Sequence, residues 1–142
     1  MITPSRRRAL CTSLSLLVIP LVGLGNPSMA QEKLEAVDRS NLEMGNIVMP
    51  VARNGALVSY ILVTFSVRMQ DVAAADYVRQ QHFLVRDAVT RQTSRNPIPA
   101  GNGPNTYDAG AVSRAIATAI TSTKPGLRVM KVQVTHVEFM RG

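Results

Sequence analysis

The chain has 142 residues, a formal net charge of +7, one cysteine and no tryptophan. That length allows one small domain behind a leader; a lone cysteine excludes an internal disulfide and a thiolate metal cluster, and 3 Phe with 3 Tyr leave little for a sugar- or base-stacking cleft. Of the 16 Lys and Arg, three stand together near the N-terminus and the rest are scattered, so the basic charge draws no stripe for nucleic acid and no nucleic-acid partner is expected.

Arg6, Arg7 and Arg8 precede an uncharged run from Ala9 to Gly25, and Asn26-Pro27 and Ser28-Met29-Ala30 close it. A basic head, an apolar stretch and a small-residue site are the parts of a secretory signal. Residues 1–30 are therefore expected to export the protein, with cleavage after Ala30 and the periplasm of a bacterium as destination. The competing reading is an uncleaved anchor holding the protein to the inner membrane through residues 9–25. That run is at the short limit for about 30 Å of hydrocarbon, and Pro20, Gly23 and Gly25 weaken it as a permanent helix. Ser5 to Leu10 matches a twin-arginine signal only in part, which leaves the export route open. The sole cysteine, Cys11, falls inside this leader.

Residues 31–46 are polar, with sparse apolar positions, and read as a linker to a domain over residues 47–142. Ile47 to Ala52 is a short apolar run interrupted by Pro50, which cannot donate to a ladder and so predicts an edge strand. Asn54-Gly55 is the dipeptide of a type I′ hairpin turn. Beyond it Leu57, Ile61, Val63, Phe65, Val67 and Met69 alternate with Tyr60, Thr64, Ser66 and Arg68, which predicts a long strand with one face on a core. Asp71 is placed to cap a helix running from Val72 to about Gln92, with Val78, Val85, Ala88 and Val89 as its apolar stripe. Asn96 to Asn105 is rich in Pro, Gly and Asn and reads as a loop. Asp108 then caps a second helix through Val112, Ile116, Ala119 and Ile120, ended by Lys124-Pro125-Gly126. Met130, Val132 and Val134 alternate in a closing strand, and Val137 and Phe139 fall out of phase with them, which predicts a bulge near His136. The order strand, strand, helix, helix, strand is that of a small single α+β domain.

Catalytic constellations are missing from the pattern. His82 and His136 stand without cysteine or a carboxylate cluster and make a poor zinc site. No serine sits in a nucleophile elbow, and Gly101, Gly103 and Gly110 neither follow a strand nor precede a Lys-Ser/Thr step. Asp71 and Asp76 read as negative charge at a helix N-terminus. No enzyme, cofactor or metal is expected. The candidate interaction surface is the set of arginines on polar faces: Arg68, Arg79, Arg86 and Arg91.

Tyr60-Ile61-Leu62-Val63-Thr64-Phe65-Ser66-Val67, the Phe83-Leu84-Val85-Arg86-Asp87-Ala88-Val89 segment, the helix through Ile116 and Ile120, and Val129 to Val137 together resemble the periplasmic domain of the flagellar basal-body-associated FliL family. The likeness covers about eighty residues and consists of hydrophobic patterns. It implies a stomatin-type (SPFH-like) fold, self-association into rings around stator units, and a role supporting motility and swarming through contacts with stator and basal-body proteins. It brings no catalytic residue. The alternative is a secreted periplasmic binding or assembly module unrelated to motility, gripping a peptide or small ligand with the loop from Asn96 to Asn105.

Overall fold

The strongest alternation in the chain becomes the centre of a sheet. In the computed structural model, which describes residues 39–140, β2 (Ala56–Met69) buries Ile61, Val63, Phe65, Val67 and Met69 on one face. β1 (Asn41–Arg53) runs antiparallel beside it through Asn54 and Gly55, whose φ angles are 52° and 79°. A type I′ turn requires positive φ at both central positions, and Asn followed by Gly meets that with the least strain. β4 (Val129–Met140) pairs antiparallel with the other side of β2, and β3 (Ile98–Pro99) lies parallel to Val51 and Ala52, so the order is β3-β1-β2-β4. The expected export signal and its cleavage site lie outside the described residues.

Three helices cover the apolar face: α1 (Val72–Gln80), α2 (His82–Arg95) and α3 (Ala109–Thr123). Their inward residues, among them Val78, Val85, Val89, Val112, Ile116 and Ile120, are fully buried with those of β1 and β2 in one core. Both expected caps form. The Asp71 carboxylate accepts from Ala74 N at 2.7 Å and that of Asp108 from Ala111 N at 3.0 Å, each satisfying a free donor of a first turn. The result is a small α+β domain of one four-stranded sheet and three helices. Among the described residues no helix is long and apolar enough to cross a membrane.

Five expectations need correction. Leu57, expected on the core face of β2, is 53 % exposed on the opposite face, because the register shifts at Val58 so that Ser59 pairs with Val51 and Leu57 with Ala52. The linker ends before residue 46, because β1 starts at Asn41. Leu42 and Met44 point inward on even numbers while Ile47, Met49 and Val51 point inward on odd ones; a bulge at Gly45-Asn46, with Asn46 at φ 59°, absorbs the slip. The single helix from Val72 is two, parted at Gln81, whose φ and ψ are −102° and 27°. The apolar stripe has no member between Val78 and Val85, and Gln81 and His82 stand where one would hold the helix to the core. β3 lies inside the expected loop. Finally, Met130 is not on the inward face: Met69 pairs with Val129 and Arg68 with Lys131, so Met130 is the extra residue of a bulge and is 66 % exposed. The predicted bulge near His136 is present, with Thr135 as its extra residue.

Burial is uneven across the sheet. The inward residues of β1 and β2 are closed off, whereas Val129, Val132, Val134, Val137 and Phe139 of β4 are all only partly covered.

Candidate functional site

Of the four candidate arginines, the fold gathers two. Arg79 on α1 and Arg86 on α2 both flank a groove of about 520 Å³ between the helix pair and the first half of β1, with Glu43 and His82 also on its walls. Each guanidinium is engaged by the backbone: Arg79 donates to the Arg39 carbonyl at 3.2 Å, and Arg86 to the Asn46 carbonyl at 2.9 Å. Arg79 also pairs with Asp76, which places Asp76 in a surface ion pair within α1 instead of at its N-terminus. The groove is cationic on its helical wall, but Arg86 already holds β1 at Asn46 and Arg79 the turn that leads into it.

The other two arginines lie elsewhere. Arg91 pairs with Asp87 one turn back on α2, the stabilising order for an i,i+4 pair. Arg68 is on the opposite face of the sheet, beside Lys131 in the cross-strand register. The four do not form one surface.

The loop from Asn96 to Asn105 is braced. Arg53 donates to the carbonyls of Gly101 and Gly103 at 3.1 and 3.0 Å, and the Thr106 hydroxyl accepts from Gly103 N at 2.9 Å. A Cβ on Gly101 would meet Thr106 Oγ1 at 2.7 Å, so the backbone approaches that side chain as only glycine permits. The cleft beneath, lined by Val51, Arg53, Phe139 and the loop, holds about 150 Å³, smaller than a typical ligand pocket.

The surface that the alternation pattern missed is the open face of the sheet. Val48, Leu57, Tyr60 and Met140 are between 40 and 53 % exposed. The cross-strand rows Val48–Leu62–Glu138 and Pro50–Tyr60–Met140 set these side chains next to one another. Val48, Pro50, Leu57 and Tyr60 continue into a trough of about 440 Å³ whose far wall is Thr90, Ser94 and Pro97. The other half of the same face is polar and basic: Thr64, Ser66 and Arg68 with Gln133 and Lys131. The signal for the apolar half was present in the sequence. Tyr60 and Leu62 are apolar members of what otherwise reads as the polar face of β2.

The two histidines lie on different sides of the molecule. His82 opens α2 with its ring centroid 3.8 Å from that of Phe83, and His136 lies on the open sheet face opposite Thr64. Among the described residues no three His, Cys, Asp or Glu side chains are grouped to hold a metal ion. No family model matches the chain, and no curated protein is similar to it.

Proposed function

We propose that this protein is a non-enzymatic accessory of the flagellar motor, acting in the periplasm by protein–protein contact, with the apolar end of its open sheet face as the contact surface. One observation carries the contact reading: Val48, Leu57, Tyr60 and Met140 are exposed side by side on the open sheet face, bordered at one side by Thr90, Ser94 and Pro97. Contiguous exposed apolar area of this kind marks a docking site, and tyrosine is among the residues that dominate such sites. The motor assignment and the SPFH-like reading of the domain rest on the resemblance through Tyr60–Val67, Phe83–Val89 and Val129–Val137. The partners are stator and basal-body proteins. The leader delivers the domain to the periplasm, or, if uncleaved, keeps it at the inner membrane through residues 9–25.

Two strains test this. Deleting the gene should impair swimming and swarming, and restoring it as Leu57→Glu with Tyr60→Glu should leave the defect while far-UV circular dichroism shows a folded product. A deletion strain that moves normally overturns the motor assignment. Full rescue by the double variant overturns the sheet face as the contact.

The second reading, a secreted binding module unrelated to motility, is favoured by one feature, the 520 Å³ groove with Arg79, His82 and Arg86 on its wall. In that case the groove, not the braced loop, takes an extended acidic peptide. A thermal upshift with such a peptide, lost in Arg79→Ala, supports it; no shift with any acidic peptide removes it.

A further inference from the structure

We infer that the free edge of β4 is an interface between two copies of this chain, joined antiparallel about a two-fold axis with Lys131 of each copy opposite Glu138 of the other. β4 is twelve residues long and pairs only with β2 among the described residues, so every backbone group on its outer side lacks a ladder partner. A strand of that length presents a template for another strand. Its inward apolar row is half-covered, whereas the matching row of β2 is fully buried. The sheet therefore stops, at this edge, before its core is closed.

The occupant is argued from the residues of β4 itself. An antiparallel pair of identical strands matches position i with j at a constant sum, and opposite residues share a face. The register that sets Lys131 against Glu138 also sets Val132 against Val137 and Gln133 against His136, with the axis between Val134 and Thr135. The bulge at Thr135 makes this possible. Without it Lys131 and Glu138 would lie on opposite faces, and so would Val132 and Val137. With it the two charged residues are both outward and the two valines both inward. Met130, the extra residue of the second bulge, ends the regular register beyond Lys131. From Lys131 to Glu138 every cross-strand match is of opposite charge, apolar with apolar, or polar with polar, apart from Val134 and Thr135 at the axis. The core-side row would gain cover, the outward row two ion pairs, and the backbone a continuous ladder, as in strand addition. The same patch is used by both partners, so the assembly closes at two, unlike a head-to-tail ring. It stands apart from the motor assignment, which the deletion strain tests.

Sedimentation of the purified protein over a range of concentrations tests it. The wild type should pass from monomer to dimer. Lys131→Glu and Glu138→Lys should each raise the dissociation constant about tenfold, because each places like charges opposite at two symmetric positions. The Lys131→Glu, Glu138→Lys double variant should return to the wild-type value. Both side chains are exposed, so folding is not at risk, and far-UV circular dichroism checks it. A monomer at every concentration overturns the proposal. So does a dimer indifferent to both reversals, which would place the contact on another face. Hydrogen exchange separates the remaining occupant: protection of β4 amides that does not change with protein concentration would mean that this chain's own residues 31–38 cover the edge, and would also overturn it.

Discussion

The two sides of the sheet are finished by opposite means. Along β1, Pro50 removes one donor, the bulge at Gly45-Asn46 bends the strand, and β3 occupies Val51 and Ala52 with Ala100 N donating to the Ala52 carbonyl at 2.8 Å. Arg86 then takes the Asn46 carbonyl from the helical side, and Arg79 the Arg39 carbonyl in the turn before the strand. The proline, the covering strand and the arginine are devices that stop a strand from recruiting another, while bulges are common to both edges. Along β4 there are two bulges, at Met130 and Thr135, and no described element lies beyond. One edge has been closed by spending side chains on its backbone; the other keeps its ladder free and keeps a charge of each sign on it.

The largest test of this contrast compares two phenylalanines. Phe65 on β2 is fully buried, and Phe65→Ala should destabilise by about 3–5 kcal/mol in urea unfolding, the range for deleting a buried ring. Phe139 on β4 is only partly covered, with its ring 6.0 Å from that of Tyr107. Phe139→Ala should lose less than half as much in dilute solution, where part of the ring already meets water. At high protein concentration the gap should narrow, since a second copy completes the cover. Equal losses at both sites in dilute protein would mean that β4 is as well closed as β2, and the contrast would fail.

Why one edge was legible in the sequence and the other was not follows from periodicity. β2 carries one uninterrupted alternation from Ile61 to Met69, and α3 carries Val112, Ile116, Ala119 and Ile120 at helical spacing behind an Asp cap, so both were readable with their limits. β1 and β4 each change phase at a bulge. In β4 the change at Thr135 was visible because valines flank it closely, while the one at Met130 was not. In β1 it fell between Met44 and Ile47 at a Gly-Asn step, and the first half of the strand passed for linker. The break at Gln81 has the same origin, a missing stripe member between two readable helices. The candidate site suffered more. Periodicity sorts residues into inward and outward, but it does not say which outward residues are neighbours across strands. Arg68 and Arg79 look equivalent along the chain and lie on opposite faces of the sheet. Tyr60, Pro50 and Met140 are far apart in sequence and adjacent in one cross-strand row.

A middle-sized effect concerns what covers β4 from above. α3 is the helix that contacts it, and its N-terminus is capped by Asp108. Asp108→Ala should destabilise by about 1 kcal/mol, with hydrogen exchange rising in α3 and in β4 before β1. Asp71→Ala, which uncaps α1 by about the same amount, should leave the β4 amides nearly unchanged. If both substitutions loosen β4 alike, the domain opens as one unit and the two edges do not differ in local stability.

The smallest effect separates two arginines five residues apart on α2. Arg86 reaches the Asn46 carbonyl at the β1 bulge, while Arg91 reaches only the Asp87 carboxylate, in a pair whose side chains are 62 and 53 % exposed. Arg86→Ala should cost about 0.5–1 kcal/mol, as an exposed charge-assisted hydrogen bond does, and should speed exchange at the amides around Asn46. Arg91→Ala removes a solvated i,i+4 pair worth about 0.3–0.5 kcal/mol, a value that shrinks as salt screens it, and should leave β1 exchange untouched. The guard on β1 then has an address: it is the arginine aimed at backbone, not the one aimed at another side chain. Identical exchange profiles for the two variants would show that Arg86 is only surface charge, and that the β1 edge is closed by Pro50, the bulge and β3 alone.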